Sequence, residues 1–162
     1  MNPLLVACGT DALPAEPDLK ASVHAMIERG WNRGDVGVFS STIADSVVFH
    51  YAGSPREVSR EEMGAIVLRW REAFPDLRTD TDGLIAEGEL VAARLTLSGT
   101  HKGPWGGAAP TGTRVRMASM MFFRFENGKL VELWESDDQL GFRRQLGIIP
   151  QSGLLERSLT TA

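Results

Sequence analysis

The chain has 162 residues, of which 43% are hydrophobic and 23% are charged, a composition that suits one globular domain. Its formal net charge of −4 and its scattered basic residues give no electrostatic basis for binding nucleic acid or an anionic membrane. The single cysteine, Cys8, excludes an internal disulfide and a metal site built from several cysteines.

The first residues contain the sequence "LVAC", which is similar to a lipoprotein cleavage site. No basic residue precedes it, and the apolar run is too short for a signal peptide. The sequence also lacks the run of about 18 apolar residues that a membrane-spanning helix needs. We therefore interpret the match as chance and expect a cytoplasmic protein.

The N-terminal half carries the helical signals. Residues 1–17 include three prolines and little periodicity, which predicts a flexible arm. Asp18 is a suitable N-cap for a helix whose apolar stripe reaches Trp31. The motif "NRGD" ends that helix, and Asp35 is expected to cap a second short one.

A strand and a third helix follow. The β-branched and aromatic run "VVFHY" (47–51) predicts a short strand. Ser59 and Glu62 have the spacing of a capping box, which opens a helix that Pro75 ends.

The C-terminal half predicts mostly strands. Helices followed by a run of antiparallel strands indicate an α+β domain, with the helices packed on one face of the sheet. We expect a single domain over 18–150 and a separate tail at 151–162. The predicted strands are 78–86, 89–101, 113–126 and 129–138, with a long link at 103–112 and a short helix at 139–146.

Two adjacent aspartates, Asp137 and Asp138, end the last strand, and neighbours in a strand point to opposite faces. Asn127-Gly128 is the preferred two-residue hairpin turn. An uninterrupted ladder from that turn places Asp138 inside and Asp137 outside, whereas a bulge near residue 136 would exchange them. The predicted inner face is Met117, Ser119, Met121, Phe123, Phe125, Leu130, Glu132, Trp134, Ser136 and Asp138.

The opposite face of this hairpin is half apolar through Met120, Phe122 and Leu133. A surface of this kind is typical of a contact between two copies of a chain. We therefore expect a homodimer or a higher homo-oligomer through this face. The alternative is that the N-terminal arm covers it.

Several side chains are candidates for a site. Alternation along 91–101 places His101 on the apolar side of its strand, and His50 lies in a strand too short to give its direction. Glu132 is expected to pair with Arg69 or Arg71. A flat apolar ligand would suit a lining of Trp31, Phe74, Trp105, Met117, Met121 and Trp134.

Four segments together are similar to the SnoaL-like polyketide cyclases of the NTF2-like superfamily. They are "FPDLR" (74–78), "GTHKGPWGGAAPTG" (99–112), "FRFENGKLVELW" (123–134) and "DQLGFRRQLG" (138–147). The resemblance runs from about residue 18 to 150. It implies a cone in which a curved mixed sheet wraps three helices around a deep apolar pocket.

The same resemblance implies chemistry without a metal or a cofactor. Members of the family close a ring of an aromatic polyketide by an intramolecular aldol reaction, and an aspartate at the position of Asp138 acts as the general acid/base. The histidine that assists in those enzymes falls near Arg124 here, so His101 or His50 is expected to take its part.

The sequence thus predicts a cofactor-independent cyclase of secondary metabolism that acts on a polyketide-like small molecule, with Asp138, His101 and His50 as catalytic candidates. One alternative is an enzyme that opens an epoxide with an internal hydroxyl or with water. An alternative of another class is a protein that binds an apolar ligand or a partner without turnover.

Overall fold

The computed structural model describes residues 18–51 and 53–150. The predicted arm at 1–17 and the tail at 151–162 lie outside the described residues. The helices are α1 (Leu19–Ala25), which continues as a π-helical turn (Met26–Trp31), α2 (Phe39–Thr42), α3 (Arg60–Ala73) and α4 (Gln139–Gln145). The strands are β1 (Ile43–Tyr51), β2 (Ser54–Ser59), β3 (Arg78–Glu87), β4 (Leu90–Thr100), β5 (Arg114–Glu126) and β6 (Lys129–Asp137).

The helix starts follow from their capping residues. The Asp18 side chain accepts a hydrogen bond from the Ala21 amide, which begins α1 as predicted. Ser59 and Glu62 form the predicted capping box at α3. The predicted second helix is shorter than expected: Asp35 makes no capping hydrogen bond through its side chain, and a 3-10 turn precedes α2.

The six strands form one curved mixed sheet in the order β2-β1-β6-β5-β4-β3. The pairing of β1 with β6 is parallel, and the other neighbours are antiparallel. The predicted α+β class is confirmed. Because β1 pairs with β6, residues near the middle of the chain lie beside residues near its C-terminal end.

The edge strand β2 was not predicted. Its sequence "SPREVS" contains Pro55, which cannot donate to a ladder, and mostly exposed polar residues. Such a segment is tolerated at a sheet edge, where one side of the backbone needs no partner. Its pairing places Arg56 opposite Phe49 of β1, so these two side chains share a face.

The hairpin between β5 and β6 contains a bulge that alternation does not reveal. Phe125 lies opposite Leu130 as predicted, but Arg124 lies opposite Glu132. Val131 is therefore one extra residue on β6. Beyond it, every β6 side chain points to the face opposite to the predicted one.

The predicted orientation of the two aspartates is wrong for this reason. Past the bulge, Ser119 of the inner face lies opposite Asp137, which therefore faces the interior. Asp138 follows the strand and is exposed. The bulge lies at Val131 and not near residue 136, but it has the effect expected of a bulge near 136: Asp137 and not Asp138 faces the interior.

The helices pack on the inner face of the sheet and leave a cavity of about 660 Å³ between them. The main core joins Val23 and Met26 of the first helix to Val91 and Leu95 of β4. A second cluster surrounds Trp70 of α3. The cavity lies where the sequence predicts a pocket, and the expectation that this pocket is deep stays a prediction.

The outer face of the sheet differs from the prediction at one residue. Met120 is 56% exposed and Phe122 is 52% exposed, as expected of an outer apolar surface. Leu133 is only 3% exposed, because the bulge turns it into the core, so its assignment to the outer face is wrong. Ile85 and Leu90 are further exposed apolar side chains of β3 and β4.

Candidate active site

The cavity is lined mainly by apolar side chains from the helices and the inner sheet face. One group of its polar side chains lies at the end of β6, where β1, β5 and α4 meet. The groups at this end are Tyr51, Ser119, Glu135, Asp137, Gln139 and Arg143.

Glu135 and Asp137 are two carboxylates on one face of β6. They are two residues apart in a strand, which places their Cα atoms roughly 7 Å apart on the same side. Both line the cavity. Leu133, the preceding residue of that face, also lines it, so the pair continues an apolar wall.

Burial, and to a smaller extent the negative charge of Asp137, raises the pKa of Glu135 to about 7. The hydrogen bond that the Ser119 hydroxyl donates to its carboxylate, at 3.3 Å, acts in the opposite direction. Near neutral pH, Glu135 is therefore present both as an acid and as a base, which is the state that general acid–base catalysis requires.

Asp137 is held by two donors. The Tyr51 hydroxyl donates to one of its carboxylate oxygens at 3.2 Å, and the Gln139 amide donates to the other at 2.8 Å. Burial, together with the charges of Asp137 and Glu135, keeps the pKa of Tyr51 far above its usual value. Tyr51 is thus a neutral hydrogen-bond donor inside the cavity.

Asp138 does not line the cavity. Its carboxylate accepts a hydrogen bond of 2.8 Å from the Gly141 amide and so forms the N-cap of α4. A Cβ atom on Gly141 would lie 2.1 Å from that carboxylate, so the cap requires glycine there. The interior acidic position that the sequence assigns to Asp138 is occupied by Asp137.

His101 is fully buried but lies beside the cavity wall and not in it. Its ring stacks on Phe74, with 5.3 Å between ring centroids, and its Nδ1 contacts the Thr111 hydroxyl at 3.1 Å. Among the described residues, its Nε2 has no hydrogen-bond partner. The apolar environment predicted for His101 is present, and its contacts tie the end of β4 to the 102–113 loop.

His50 lies on the outer face of the sheet. Its ring stacks on Trp134 with 4.9 Å between centroids, and its Nε2 contacts the Glu132 carboxylate at 2.8 Å. Glu132 also accepts a hydrogen bond of 2.7 Å from Arg124, which lowers the pKa of that carboxyl. The predicted pairing of Glu132 with Arg69 or Arg71 is therefore wrong.

The structure brings four of the six predicted ligand-contacting residues to the cavity. Trp31, Trp105, Met117 and Met121 line it. Phe74 is fully buried in the second core cluster. Trp134 does not line the cavity, because the bulge places it on the outer face against His50.

The residues that sequence reasoning missed are Tyr51, Glu135 and Gln139. Tyr51 and Glu135 face each other across β1 and β6, a parallel pairing that periodicity does not indicate. An available signal was that Tyr51 is the single tyrosine of the chain and ends an apolar strand.

Over residues 18–51 and 53–150, no cluster of three or more histidine, cysteine or acidic side chains is arranged to hold a metal ion. Within the same residues, no helix is long and apolar enough to cross a membrane.

A family model described as SnoaL-like polyketide cyclase matches residues 17–146 of the chain. No curated protein matches it significantly. Among solved structures, AclR from Streptomyces galilaeus, named as a candidate hydroxylase, is 31% identical with a TM-score of 0.74, and the match covers 88% of each chain.

Two other solved structures carry the name of candidate polyketide cyclases. IdmH from Streptomyces antibioticus is 28% identical with a TM-score of 0.69, over 80% of this chain and 99% of that one. A protein from Acidithiobacillus ferrooxidans is 26% identical with a TM-score of 0.73, over 84% of this chain and 99% of that one. These likenesses confirm the predicted NTF2-like fold, and the chain belongs to the SnoaL-like polyketide cyclase family.

Proposed function

We propose that the protein is a cofactor-independent cyclase that closes a ring of a polyketide-like molecule by an intramolecular aldol reaction. The observation that carries the proposal is the pair Glu135 and Asp137 on an apolar cavity wall, with the pKa of Glu135 raised to about 7. The family and the names of IdmH and the Acidithiobacillus protein support cyclase chemistry.

Glu135 is the proposed acid/base. Its carboxylate takes a proton from a carbon next to a substrate carbonyl, and the resulting enolate carbon attacks a second carbonyl of the same molecule. Glu135 then returns the proton to the new alkoxide oxygen. One C–H bond and the π bond of the second carbonyl are broken, one C–C bond and one O–H bond are formed, and no electrons leave the substrate, so the step needs no redox cofactor.

Tyr51 is the proposed donor to the reacting oxygen. Its hydroxyl lies in the cavity and carries one proton, which it donates to Asp137 in the free protein; in the proposed step this proton turns to the enolate oxygen as charge develops there. Asp137 orients that hydroxyl, and its own charge keeps the pKa of Glu135 high. Each member of the group therefore has a separate part in the step.

The cavity fits an apolar substrate of this kind. Its volume of about 660 Å³ lies in the range of small-molecule sites, and aromatic, methionine and aliphatic side chains make up most of its walls. Trp105 reaches it from the 102–113 loop and packs against Trp70 of α3, with 4.0 Å between ring centroids. The loop thus forms part of the cavity wall beside α3.

A second candidate is hydroxylation, because AclR, at 31% identity, is named as a candidate hydroxylase. That reaction would need dioxygen and a source of two electrons in addition to the carboxylate pair. The opening of an epoxide is a further alternative, in which protonated Glu135 donates to the epoxide oxygen. A non-catalytic binding protein remains the alternative of another class. In such a protein the raised pKa of Glu135 would have no catalytic role.

The test is turnover of polycyclic aromatic ketones that carry a ketone side chain, followed by mass spectrometry and NMR. Aldol closure leaves the mass unchanged before dehydration and creates a C–C bond, whereas hydroxylation adds one oxygen atom. We expect Glu135→Gln to lower turnover about 10²- to 10⁴-fold, the usual contribution of a positioned acid–base group.

Asp138→Asn is the matched variant. Asparagine caps a helix about as well as aspartate, so the variant keeps α4 and removes only the carboxylate. The structure predicts near-normal turnover, because Asp138 is exposed outside the cavity. Loss of turnover in Asp138→Asn with full turnover in Glu135→Gln would reverse the assignment of the acid/base.

A further inference from the structure

Three arginines line the cavity beside its acidic and apolar groups. They are Arg56 of β2, Arg69 of α3 and Arg143 of α4, and all three are exposed, which places them at the mouth. We call these three residues the arginine rim. Among the described residues, none of them forms an ion pair within 4.0 Å.

Several other arginines of the fold have partners. Arg78, Arg114 and Arg124 form ion pairs with carboxylates, and Arg71 donates to backbone carbonyls at the end of the first helix. The exposed arginines of the cavity mouth are thus not part of the charge pairing that holds the sheet and the helices together.

Within the arginine rim, Arg69 has a nearby counter-charge. Glu72 lies three residues further along α3 and also lines the cavity, and side chains at this spacing are neighbours on a helix. The carboxylate of Glu72 partly offsets Arg69. Arg56 and Arg143 therefore carry most of the uncompensated positive charge.

Arg56 and Arg143 lie at the end of the cavity that holds Tyr51. Arg56 lies opposite Phe49 in the β1–β2 pairing, on the face that Tyr51 shares two residues later. Arg143 is close enough to Tyr51 for its charge to oppose the rise in the pKa of that hydroxyl. The two guanidinium groups thus approach the same part of the mouth from β2 and from α4.

We infer that the arginine rim binds a carboxylate of the substrate, through Arg56 and Arg143, while the apolar part of the substrate enters the cavity. The inference rests on the proposed function in that it names the substrate class of the same site. Guanidinium groups match carboxylates in shape and charge and donate two hydrogen bonds at once.

The charges inside the cavity determine the orientation of such a substrate. Asp137, and Glu135 when ionised, repel a carboxylate, so the anionic end stays at the mouth and the uncharged ketone end enters. The chain as a whole has a net charge of −4 and does not attract anions. A local cluster of cations is therefore required for an acidic substrate, and the arginine rim supplies it.

The test compares two probes that differ only in this charge. Anthracene-2-carboxylate and its methyl ester have the same flat apolar body, and fluorescence titration gives the dissociation constant of each. We expect the acid to bind roughly 10-fold more tightly at low salt, and this preference to shrink at about 0.5 M salt, where charges are screened within a few ångströms.

Substitutions of single arginines test which guanidinium groups bind the carboxylate of the probe. Arg56→Gln and Arg143→Gln should each weaken binding of the acid about 5-fold, as expected for exposed ion pairs, and leave the ester unchanged. Arg94→Gln is the matched control, because Arg94 is exposed on the outer face of the sheet, opposite Met120. It should change neither constant.

Equal affinity for acid and ester, or an equal loss of both probes in Arg56→Gln and Arg143→Gln, would overturn the inference. The outcome is independent of catalysis, because Glu135→Gln should retain the preference for the acid. If the parent protein prefers the acid but turns over no ketone, the proposed function alone is contradicted. If it turns over a ketone but binds acid and ester equally, the carboxylate site alone is contradicted.

Discussion

The Tyr51 hydroxyl donates a hydrogen bond to Asp137 at 3.2 Å and so connects β1 to β6 inside the cavity. The two residues are far apart in the sequence and come together because β1 and β6 are parallel neighbours. This contact places a neutral donor beside the carboxylate pair. It is the reason for treating Tyr51, Glu135 and Asp137 as one group.

Loss of the Tyr51 hydroxyl should lower turnover more than substrate binding. In Tyr51→Phe the ring still fills its place beside Phe49, on which it stacks with 5.8 Å between centroids. We expect kcat to fall about 10²-fold, the usual effect of losing a donor to a developing oxyanion, with KM little changed. A rise in KM at constant kcat would instead assign Tyr51 to binding alone. The measurement is steady-state kinetics on the ketone that the protein turns over.

The pH dependence of turnover should report Glu135. Because its pKa is about 7, the basic form accumulates as the pH rises through neutrality, and kcat/KM should rise with it. Ser119→Ala should move the midpoint of this rise to higher pH, since the Ser119 hydrogen bond lowers the pKa of Glu135. Ser98→Ala, on the outer face of β4, should leave the midpoint unchanged. A midpoint that moves downward in Ser119→Ala would contradict the assignment.

Glu135 should also make the protein less stable at higher pH. Its pKa is raised in the folded state from 4.5 to about 7, so between these values the folded state binds more protons than the unfolded state. The free energy of unfolding therefore falls as the pH rises through this window, by about 3 kcal/mol at most. Glu135→Gln should remove this fall, and urea denaturation at several pH values measures it. An equal fall in Glu87→Gln and in the parent, with none in Glu135→Gln, is the expected pattern, because Glu87 is exposed at the end of β3.

The sequence was sufficient for most of the elements, the edge strand β2 excepted, and insufficient for one residue of register. Capping residues determined the starts of α1 and α3, and Asn127-Gly128 determined the hairpin turn. The bulge at Val131 was not predictable, because alternation along β6 looks equally apolar on both faces. That single residue explains why Asp138, Trp134 and Leu133 were assigned to the wrong faces. It also explains why Glu135 was missed.

The 102–113 loop should depend on Gly103. The amides of Lys102 and Gly103 both donate to the Ala73 carbonyl at 2.9 Å, and a Cβ atom on Gly103 would lie 2.3 Å from the Glu72 carbonyl oxygen. Gly103→Ala should therefore displace the loop, lower the melting temperature by several degrees and weaken contacts of Trp105 with Trp70, which tryptophan fluorescence reports.

Gly83→Ala is the control for this substitution. Gly83 lies in β3, and a Cβ atom there meets nothing within 4 Å, so alanine should be neutral or slightly stabilising. If Gly103→Ala and Gly83→Ala changed the melting temperature equally, the close approach of Gly103 to α3 would have no energetic weight.

The outer sheet face should determine the oligomeric state, an expectation from the sequence that stays a prediction. Phe122 lies between Ala92 of β4 and Trp134 of β6 in the ladder, and Ile85 continues the row at β3. Arg94 and Arg124 lie on either side of this apolar row, as in the polar rim of a protein contact. A second copy packed face to face would bury Phe122.

We therefore expect a dimer in analytical ultracentrifugation, and a monomer for Phe122→Glu, because a carboxylate would then be buried without a partner. Leu68→Glu is the control, since Leu68 is 50% exposed on α3, away from this face, and its charge should leave the dimer intact. A parent protein that sediments as a monomer at micromolar concentration would contradict the prediction.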